Sequence, residues 1–208
     1  MSLFKKLFNL SKKSNEAKKE LESQHRSKYM PEKLNLPIDE LFIHHFTQQG
    51  GRFLYCLNQD EVDKNLQQIL EEHQWLGSTA FCPNDVLKER LADFNLNLYG
   101  SNENSDMLIA HCEYIIADSG AILFSSNQVR QFKTAELPDT YIIVASTSQI
   151  VQSIGEGLRG IKIKNQTNIP SNITTLKHFK VQEQNEDKDL MHYGAAHKTV
   201  YLLLLEDL

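Results

Sequence analysis

The stretch LPDTYIIVASTSQIVQSIGEGL, residues 137–158, carries the pattern that decides the fold. Its first half, TYIIVAS at 140–146, is a near-continuous apolar run, which is typical of a strand that is buried on both faces. Thr147 and Ser148 then begin a segment in which apolar residues recur at helical spacing, so we predict a helix over 147–158 with these two residues at its start. A buried strand that leads into an amphipathic helix is a repeating unit of α/β proteins.

The same alternation of strands and helices extends to both sides of this stretch. It predicts an α/β fold with a mostly parallel sheet that is covered by helices on both faces. Asn58 and Asn84 are the expected N-caps of two of the helices. The predicted helices are 37–51, 58–74 and 84–94, and the predicted strands are 52–57, 79–83, 95–100, 114–125 (bent at Gly120) and 198–207.

Gly155, Gly157 and Gly160 have the G-x-G-x-x-G spacing of a dinucleotide site. Such a site requires the first glycine to end a strand and the last to open a helix. The apolar residues from Ile150 onward instead predict a helix that runs through the glycines, with Gly160 as its C-terminal cap and a strand over 161–164. The spacing therefore indicates the exit of a helix and not a dinucleotide site.

The composition is that of a folded protein of ordinary size. The chain has 208 residues, of which 40% are hydrophobic and 24% are charged. The longest apolar run, residues 200–208, is too short to span a bilayer and no signal peptide is recognised, so we expect a cytoplasmic protein. Cys56, Cys82 and Cys112 are widely spaced, and no histidines have the spacing of a zinc site, so we expect no disulfide framework, no metal and no cofactor.

The charge is distributed unevenly and divides the chain into a basic N-terminal helical tail, residues 1–36, and an α/β domain, residues 37–208. The tail holds nine Lys or Arg and four Glu, whereas the remainder holds 13 Lys or Arg and 23 Asp or Glu. Residues 1–14 combine apolar residues four apart with lysines, which indicates either a helix that contacts a membrane surface or a partner, or a solvated terminus. No strand interleaves basic and aromatic residues, so we expect no nucleic-acid partner.

The segment HCEYIIADSGAILFSS, residues 111–126, contains the candidate site. A buried strand ends at Asp118, Ser119 and Gly120, which present a carboxylate, a hydroxyl and backbone N–H groups where α/β sheets bind ligands. Arg130 follows and can bind a carboxylate through two parallel hydrogen bonds. We predict that these four residues bind a small anionic ligand, and we assign no catalytic residue. The alternative is a turn in which Asp118 satisfies its own backbone, with Arg130 in a surface ion pair.

His111 and Cys112 stand at the start of this segment. An imidazole beside a thiol is typical of a reactive cysteine. A buried cysteine beside an incidental histidine gives the same pattern and is the more common case. The sequence therefore assigns no role to the pair.

The order of these segments resembles the lactate-utilization (LUD) domain. The motifs that carry the resemblance are QQGGRFLYCLNQDEV at 48–62, YIIADSGAILFSS at 114–126, the stretch at 137–158 and the terminal apolar strand. In that family a Glu-Thr-Gly-Thr turn usually stands where this chain has Asp118 to Ala121. The resemblance covers roughly residues 38–208.

The resemblance implies a ribose-phosphate isomerase or CoA-transferase-like fold. It also implies an accessory role in the oxidation of L-lactate to pyruvate, beside iron–sulfur oxidoreductase subunits, in a chain that carries no cluster itself. Family members usually have a Thr-Ala-Asp-Ile-Glu segment and a Gly-x-His-Gly-Pro turn before the last strand. Residues 186–205 keep the strand and lack both motifs, which puts the identity of the ligand in question.

Two other functions fit the same residues, so whether the protein is an enzyme stays open. In the first, the chain is a stand-alone enzyme or ligand-binding protein of this fold, with Asp118 as a nucleophile or general base on a CoA thioester or a sugar phosphate. In the second, the chain is an interaction module without catalysis that is tethered through its tail.

Overall fold

A computed structural model describes residues 35–102, 104–177, 179 and 198–207. The predicted tail helix and residues 186–197 of the family comparison lie outside this range. In the part of the chain that is described, no helix is long and apolar enough to cross a membrane. The helices are α1 (Ile38–Gln48), α2 (Gln59–Glu72), α3 (Asp85–Arg90), α4 (Ser126–Val129) and α5 (Ile154–Lys164). The strands are β1 (Arg52–Cys56), β2 (Thr79–Phe81), β3 (Asn97–Tyr99), β4 (Met107–His111), β5 (Tyr114–Ile116), β6 (Ala121–Phe124), β7 (Thr140–Ser146), β8 (Ile150–Val151), β9 (Thr174–Leu176) and β10 (Thr199–Leu205).

A six-stranded parallel sheet forms the centre of the fold. Its strand order is β1-β10-β7-β4-β2-β3, and all of its pairings are parallel. The central strands β7 and β10 are buried over five consecutive residues each, which explains their near-continuous apolar sequences. The prediction of an α/β fold with a mostly parallel sheet is confirmed.

Helices cover both faces of this sheet, as predicted, but a second sheet shares one of the faces. On one face, Leu66 and Leu70 of α2 and Leu87 of α3 pack against strand residues such as Ile142. The other face packs against α1 and the inner side of a four-stranded sheet of order β8-β5-β6-β9. The sequence did not predict this second sheet, because β8 and β9 are only two and three residues long.

The structure confirms the two predicted N-caps, Asn58 and Asn84. The side chain of Asn58 accepts a hydrogen bond from Glu61 N at 3.0 Å and caps α2. Asn84 accepts from Leu87 N at 2.8 Å and caps α3. Both contacts satisfy backbone N–H groups that a helix leaves without partners in its first turn.

The helix predicted over 147–158 is wrong in its first half. Thr147–Gln149 forms a single 3-10 turn, and Ile150–Val151 forms β8, which pairs with β5. Helix α5 begins at Ile154, and the Ser153 hydroxyl caps it by accepting from Glu156 N. The β-branched pair fits a strand better than a helix, and the short apolar run alone did not distinguish the two.

The predictions that Gly160 caps a helix and that a strand follows over 161–164 are also wrong. Gly160 lies in the interior of α5, which continues to Lys164. A Cβ on Gly160 would lie 2.6 Å from Cζ of Tyr114, so the glycine lets the helix pack directly on that ring. The alternation of Ile161 and Ile163, one buried and one exposed, resembles a strand pattern but belongs to the helix.

Candidate functional site

A polar cleft of about 780 Å³ lies at the carboxyl ends of the central strands. Strand β4 ends at His111 and strand β7 ends at Ser146, and both residues line the cleft. Open α/β sheets bind ligands at this edge, and the volume lies in the range of small-molecule sites. The lining residues are Asn84, His111, Cys112, Glu113, Ser126, Asn127, Gln128, Arg130, Ser146, Gln149 and Lys164.

Glu113 provides a buried carboxylate in the wall of the cleft. Its side chain is 5% exposed, and its Oε1 atom accepts a hydrogen bond from Ser125 Oγ at 2.6 Å. Asn127 Nδ2 and Gln128 Nε2 donate to the same oxygen at 3.1 Å each. Hydrogen bonds to a charged acceptor of this kind offset the cost of burying it. Oε2 accepts no hydrogen bond from the residues that the structure describes, so it is free to meet a ligand.

The donors to Glu113 are held in place by the short helix α4. Ser125 is its N-cap, and the backbone N–H of Ser125 donates to Gln128 Oε1 at 2.9 Å. This reciprocal arrangement is a capping box, which fixes the first turn of a helix. Ser125 therefore both caps the helix and bonds the carboxylate, which links the end of β6 to the loop between β4 and β5.

Arg130 brings a cation to the cleft from the end of α4. Its Nη2 donates to Pro83 O at 3.1 Å, which ties α4 to the loop between β2 and α3. Its backbone has φ 54° and ψ −131°, a conformation that L-residues rarely adopt. Such strain is often retained where a side chain has to point in one direction. Lys164, the last residue of α5, adds a second cation.

His111 lines the same cleft with a defined tautomer. Its Nδ1 lies 3.0 Å from Val144 O. A carbonyl oxygen only accepts, so Nδ1 carries the proton and Nε2 carries the lone pair. Burial lowers the pKa of His111 and outweighs the raising effect of the hydrogen bond to Val144 O, and the positive charge of Arg90 lowers the pKa as well. The imidazole is therefore neutral near pH 7.

The side chain of Gln149 bonds to the backbone of three residues that line the cleft. Its Nε2 donates to Cys112 O at 2.7 Å and to Glu113 O at 3.2 Å, and its Oε1 accepts from Ser146 N at 2.8 Å. The side chain thus joins the carboxyl ends of β4 and β7. The pKa of Cys112 is raised, mainly by complete burial, so its thiol is a poor nucleophile.

The predicted turn residues Asp118, Ser119 and Gly120 form the hairpin between β5 and β6 and do not line this cleft. Gly120 has φ +59°, and a Cβ there would lie 2.8 Å from His45 O in α1. Asp118 is exposed, its backbone N–H donates to Gln152 O at 3.0 Å, and its carboxylate accepts from the Gln152 side chain. The backbone N–H and the carboxylate of Asp118 are therefore bonded within the protein, to Gln152.

Helix α1 supplies two further contacts to the backbone of this turn. His45 Nδ1 lies 2.7 Å from Ala117 O, and Gln49 Nε2 donates to Ser119 O. Of the four residues predicted to bind one ligand, only Arg130 lines the cleft. The cleft that Arg130 lines does not include the three turn residues.

Glu113 is the site residue that the sequence analysis missed. The available signal was its position two residues after an apolar run, MLIAH at 107–111, for which no strand was predicted. An acid at the carboxyl end of a buried strand is the pattern that was sought at Asp118. Among the described residues, no group of three or more His, Cys, Asp or Glu side chains is arranged to hold a metal ion.

Comparisons with known proteins agree with this fold. A family model described as the LUD domain matches residues 40–205. The crystal structure of a DUF162 family protein from Deinococcus radiodurans superposes with a TM-score of 0.58 and 15% identity, covering 82% of this chain and 96% of that one. At this identity the likeness shows the fold alone. No curated protein sequence matches the chain.

Proposed function

Because the chain belongs to the LUD-domain family, we propose that it binds a small organic acid of the lactate and pyruvate type in the Glu113 cleft. We propose further that it acts in organic-acid utilization together with iron–sulfur oxidoreductase subunits. The single observation that carries the proposal is the pair of cations, Arg130 and Lys164, in a polar cleft at the carboxyl ends of the strands.

The charges of the cleft suit a carboxylate that carries a second polar group. The guanidinium of Arg130 makes one described hydrogen bond, to Pro83 O, and has further N–H donors for a carboxylate. Lys164 is exposed at the cleft and adds a mobile positive charge. Glu113 Oε2 can accept a hydrogen bond from a ligand hydroxyl, and His111 Nε2 can do the same.

Calorimetric titration of the full chain with L-lactate, pyruvate and propionate tests the binding. Propionate has the carboxylate but no oxygen on the neighbouring carbon, so we expect it to bind more weakly than both other acids. The Arg130→Gln variant should lower the affinity for the bound acid about 10- to 100-fold, because a hydrogen bond to a charged group is lost.

The matched control is Arg159→Gln, which removes the same charge from an exposed position on α5 that does not line the cleft. We expect its affinity to equal that of the wild type. No heat of binding with lactate or pyruvate, or equal affinities in the Arg130 and Arg159 variants, would contradict the proposal. Tight binding of a CoA thioester without binding of either acid would favour the stand-alone enzyme.

The partner half of the proposal needs a separate measurement. Co-expression with iron–sulfur oxidoreductase subunits from the same genome, followed by size-exclusion chromatography, should give one co-eluting complex. Elution of the chain apart from those subunits, at concentrations well above micromolar, would contradict the partnership while leaving the binding proposal intact.

A further inference from the structure

We infer that His111 is a general base in the cleft, and that its Nε2 reversibly removes a proton from the carbon next to the carbonyl of a bound 2-oxo acid. The inference rests on the proposed function, because it requires an organic acid in the cleft. It adds an activity, proton exchange at carbon, that ligand binding alone does not include.

The position of His111 in the sheet supports this role. His111 is the last residue of β4 and is paired in register with Val144 of β7. The hydrogen bond from Nδ1 to Val144 O fixes the ring and places the proton on Nδ1. The nitrogen that carries the lone pair therefore belongs to an oriented side chain in the wall of the cleft.

The other ionisable groups around the cleft include three cations and the carboxylate of Glu113. The cations Arg130 and Lys164 line the same cavity, and the positive charge of Arg90 lowers the pKa of His111. The carboxylate of Glu113 already accepts three hydrogen bonds on Oε1, and these hold it in the wall. His111 is thus the lining group that combines a free lone pair with a neutral resting state.

The step is balanced without a redox partner. The C–H bond beside the carbonyl breaks and its proton moves to Nε2, while the electron pair forms a carbon–carbon double bond and the carbonyl oxygen takes the negative charge. Lys164 or Arg130 stabilises the resulting enolate, as cations do for developing oxyanions. In D₂O the proton on Nε2 exchanges with solvent for deuterium, and the reverse step then delivers deuterium from Nε2 to carbon. The acid is labelled and nothing is consumed.

Proton NMR of pyruvate in D₂O, with the full chain present and absent, measures this exchange as loss of the methyl signal. We expect exchange above the protein-free rate with the wild type. The variant His111→Asn keeps an N–H donor near the Nδ1 position, for Val144 O, and removes the base. Its exchange rate should fall on the order of 100-fold while pyruvate still binds.

The control is His44→Asn in α1, a histidine that does not line the cleft, and its exchange rate should match that of the wild type. Binding of pyruvate without exchange in the wild type, or undiminished exchange in folded His111→Asn, would overturn the inference and leave the proposed function standing. Absence of pyruvate binding in the wild type would overturn the inference, and absence of both pyruvate and lactate binding would overturn the proposed function as well.

A second measurement needs no substitution. The ¹⁵N chemical shifts of the His111 ring in the wild type should show a protonated Nδ1 and an unprotonated Nε2 at pH 7. A ring protonated on Nε2 would overturn the inference, whatever the stability of the variants.

Discussion

The hydroxyl of Ser125 donates a 2.6 Å hydrogen bond to the buried carboxylate of Glu113. The two residues are twelve apart in sequence, and the contact joins the end of β6 to the loop between β4 and β5. It makes the stability of the cleft depend on one small side chain that also caps α4.

The Ser125→Ala variant should be destabilised because it loses both contacts. A hydrogen bond to a charged group contributes about 1.5–3 kcal/mol and an N-cap about 1 kcal/mol, so we expect the free energy of unfolding to fall by about 2–4 kcal/mol. Urea denaturation measures this change. The adjacent Ser126→Ala is the control, because among the described residues the Ser126 hydroxyl makes no hydrogen bond. Equal midpoints for the two variants would contradict the prediction.

Gly120→Ala should destabilise the protein more than Gly77→Ala. Both glycines have positive φ, +59° and +83°, so both variants carry a left-handed backbone cost of about 1–2 kcal/mol. A Cβ at Gly77 meets nothing within 4 Å, whereas a Cβ at Gly120 meets the backbone of α1. Overpacking adds about 1–3 kcal/mol at Gly120 alone. Thermal unfolding of both variants checks the order, and a larger loss at Gly77 would contradict it.

Two glycines of α5 should respond to alanine in opposite directions. Gly155 has only Ser153 Oγ within reach, at 3.8 Å, so Gly155→Ala should stabilise the helix by about 0.5–1 kcal/mol. Gly160→Ala places a methyl group against the Tyr114 ring and should destabilise the protein despite the same gain in helix propensity. The denaturation midpoints of the two variants, compared with that of the wild type, give the sign of each change in stability. Stabilisation by Gly160→Ala would show that Tyr114 can move aside.

Asp207 should stabilise the protein in a pH-dependent manner. Its carboxylate accepts hydrogen bonds from Ser148 Oγ at 2.6 Å, Ser148 N at 2.9 Å and Thr147 Oγ1 at 2.8 Å. The hydrogen bonds from Ser148, then that from Thr147, lower the pKa of Asp207 from 3.8 to about 2. A pKa lowered in the folded state gives stability that is present above the unfolded value and is lost as the pH falls through the folded one.

The Asp207→Asn variant tests this pH dependence. At pH 7 its melting temperature should lie below that of the wild type, and the difference should shrink as the pH falls from about 4 to about 2. The control is Asp93→Asn, at an exposed aspartate that accepts no hydrogen bond from the described residues. A difference for Asp207→Asn that does not change over this pH range would contradict the assignment.

The sequence predicted those parts of the fold in which local signals agree with the tertiary structure. Leu41, Phe42 and Phe46 were expected to point inward from α1, and all three are buried. The caps at Asn58 and Asn84 were also correct, because a cap depends only on residues within one turn. Such features are fixed by neighbours in the chain and can be read from it.

Features that depend on distant contacts were not predicted. The sequence predicts a helix end at Gly160 because the contact that requires a glycine there, with the ring of Tyr114, lies 46 residues away in sequence. Arg130 was chosen for its charge and does line the cleft, but it was paired with Asp118 and not with Glu113. Recognition of β4 as a strand would have directed attention to the acid at its end.

Strand β10, residues Thr199–Leu205, lies between β1 and β7 in the six-stranded sheet, although β1 comes almost 150 residues earlier. During synthesis, residue 205 must therefore leave the exit tunnel of the ribosome before β1 can pair with the whole of β10. Until then the edges of β1 and β7 are open to any extended peptide, as unpaired strand edges are. Synthesis of this protein should accordingly be the stage at which it depends most on chaperones.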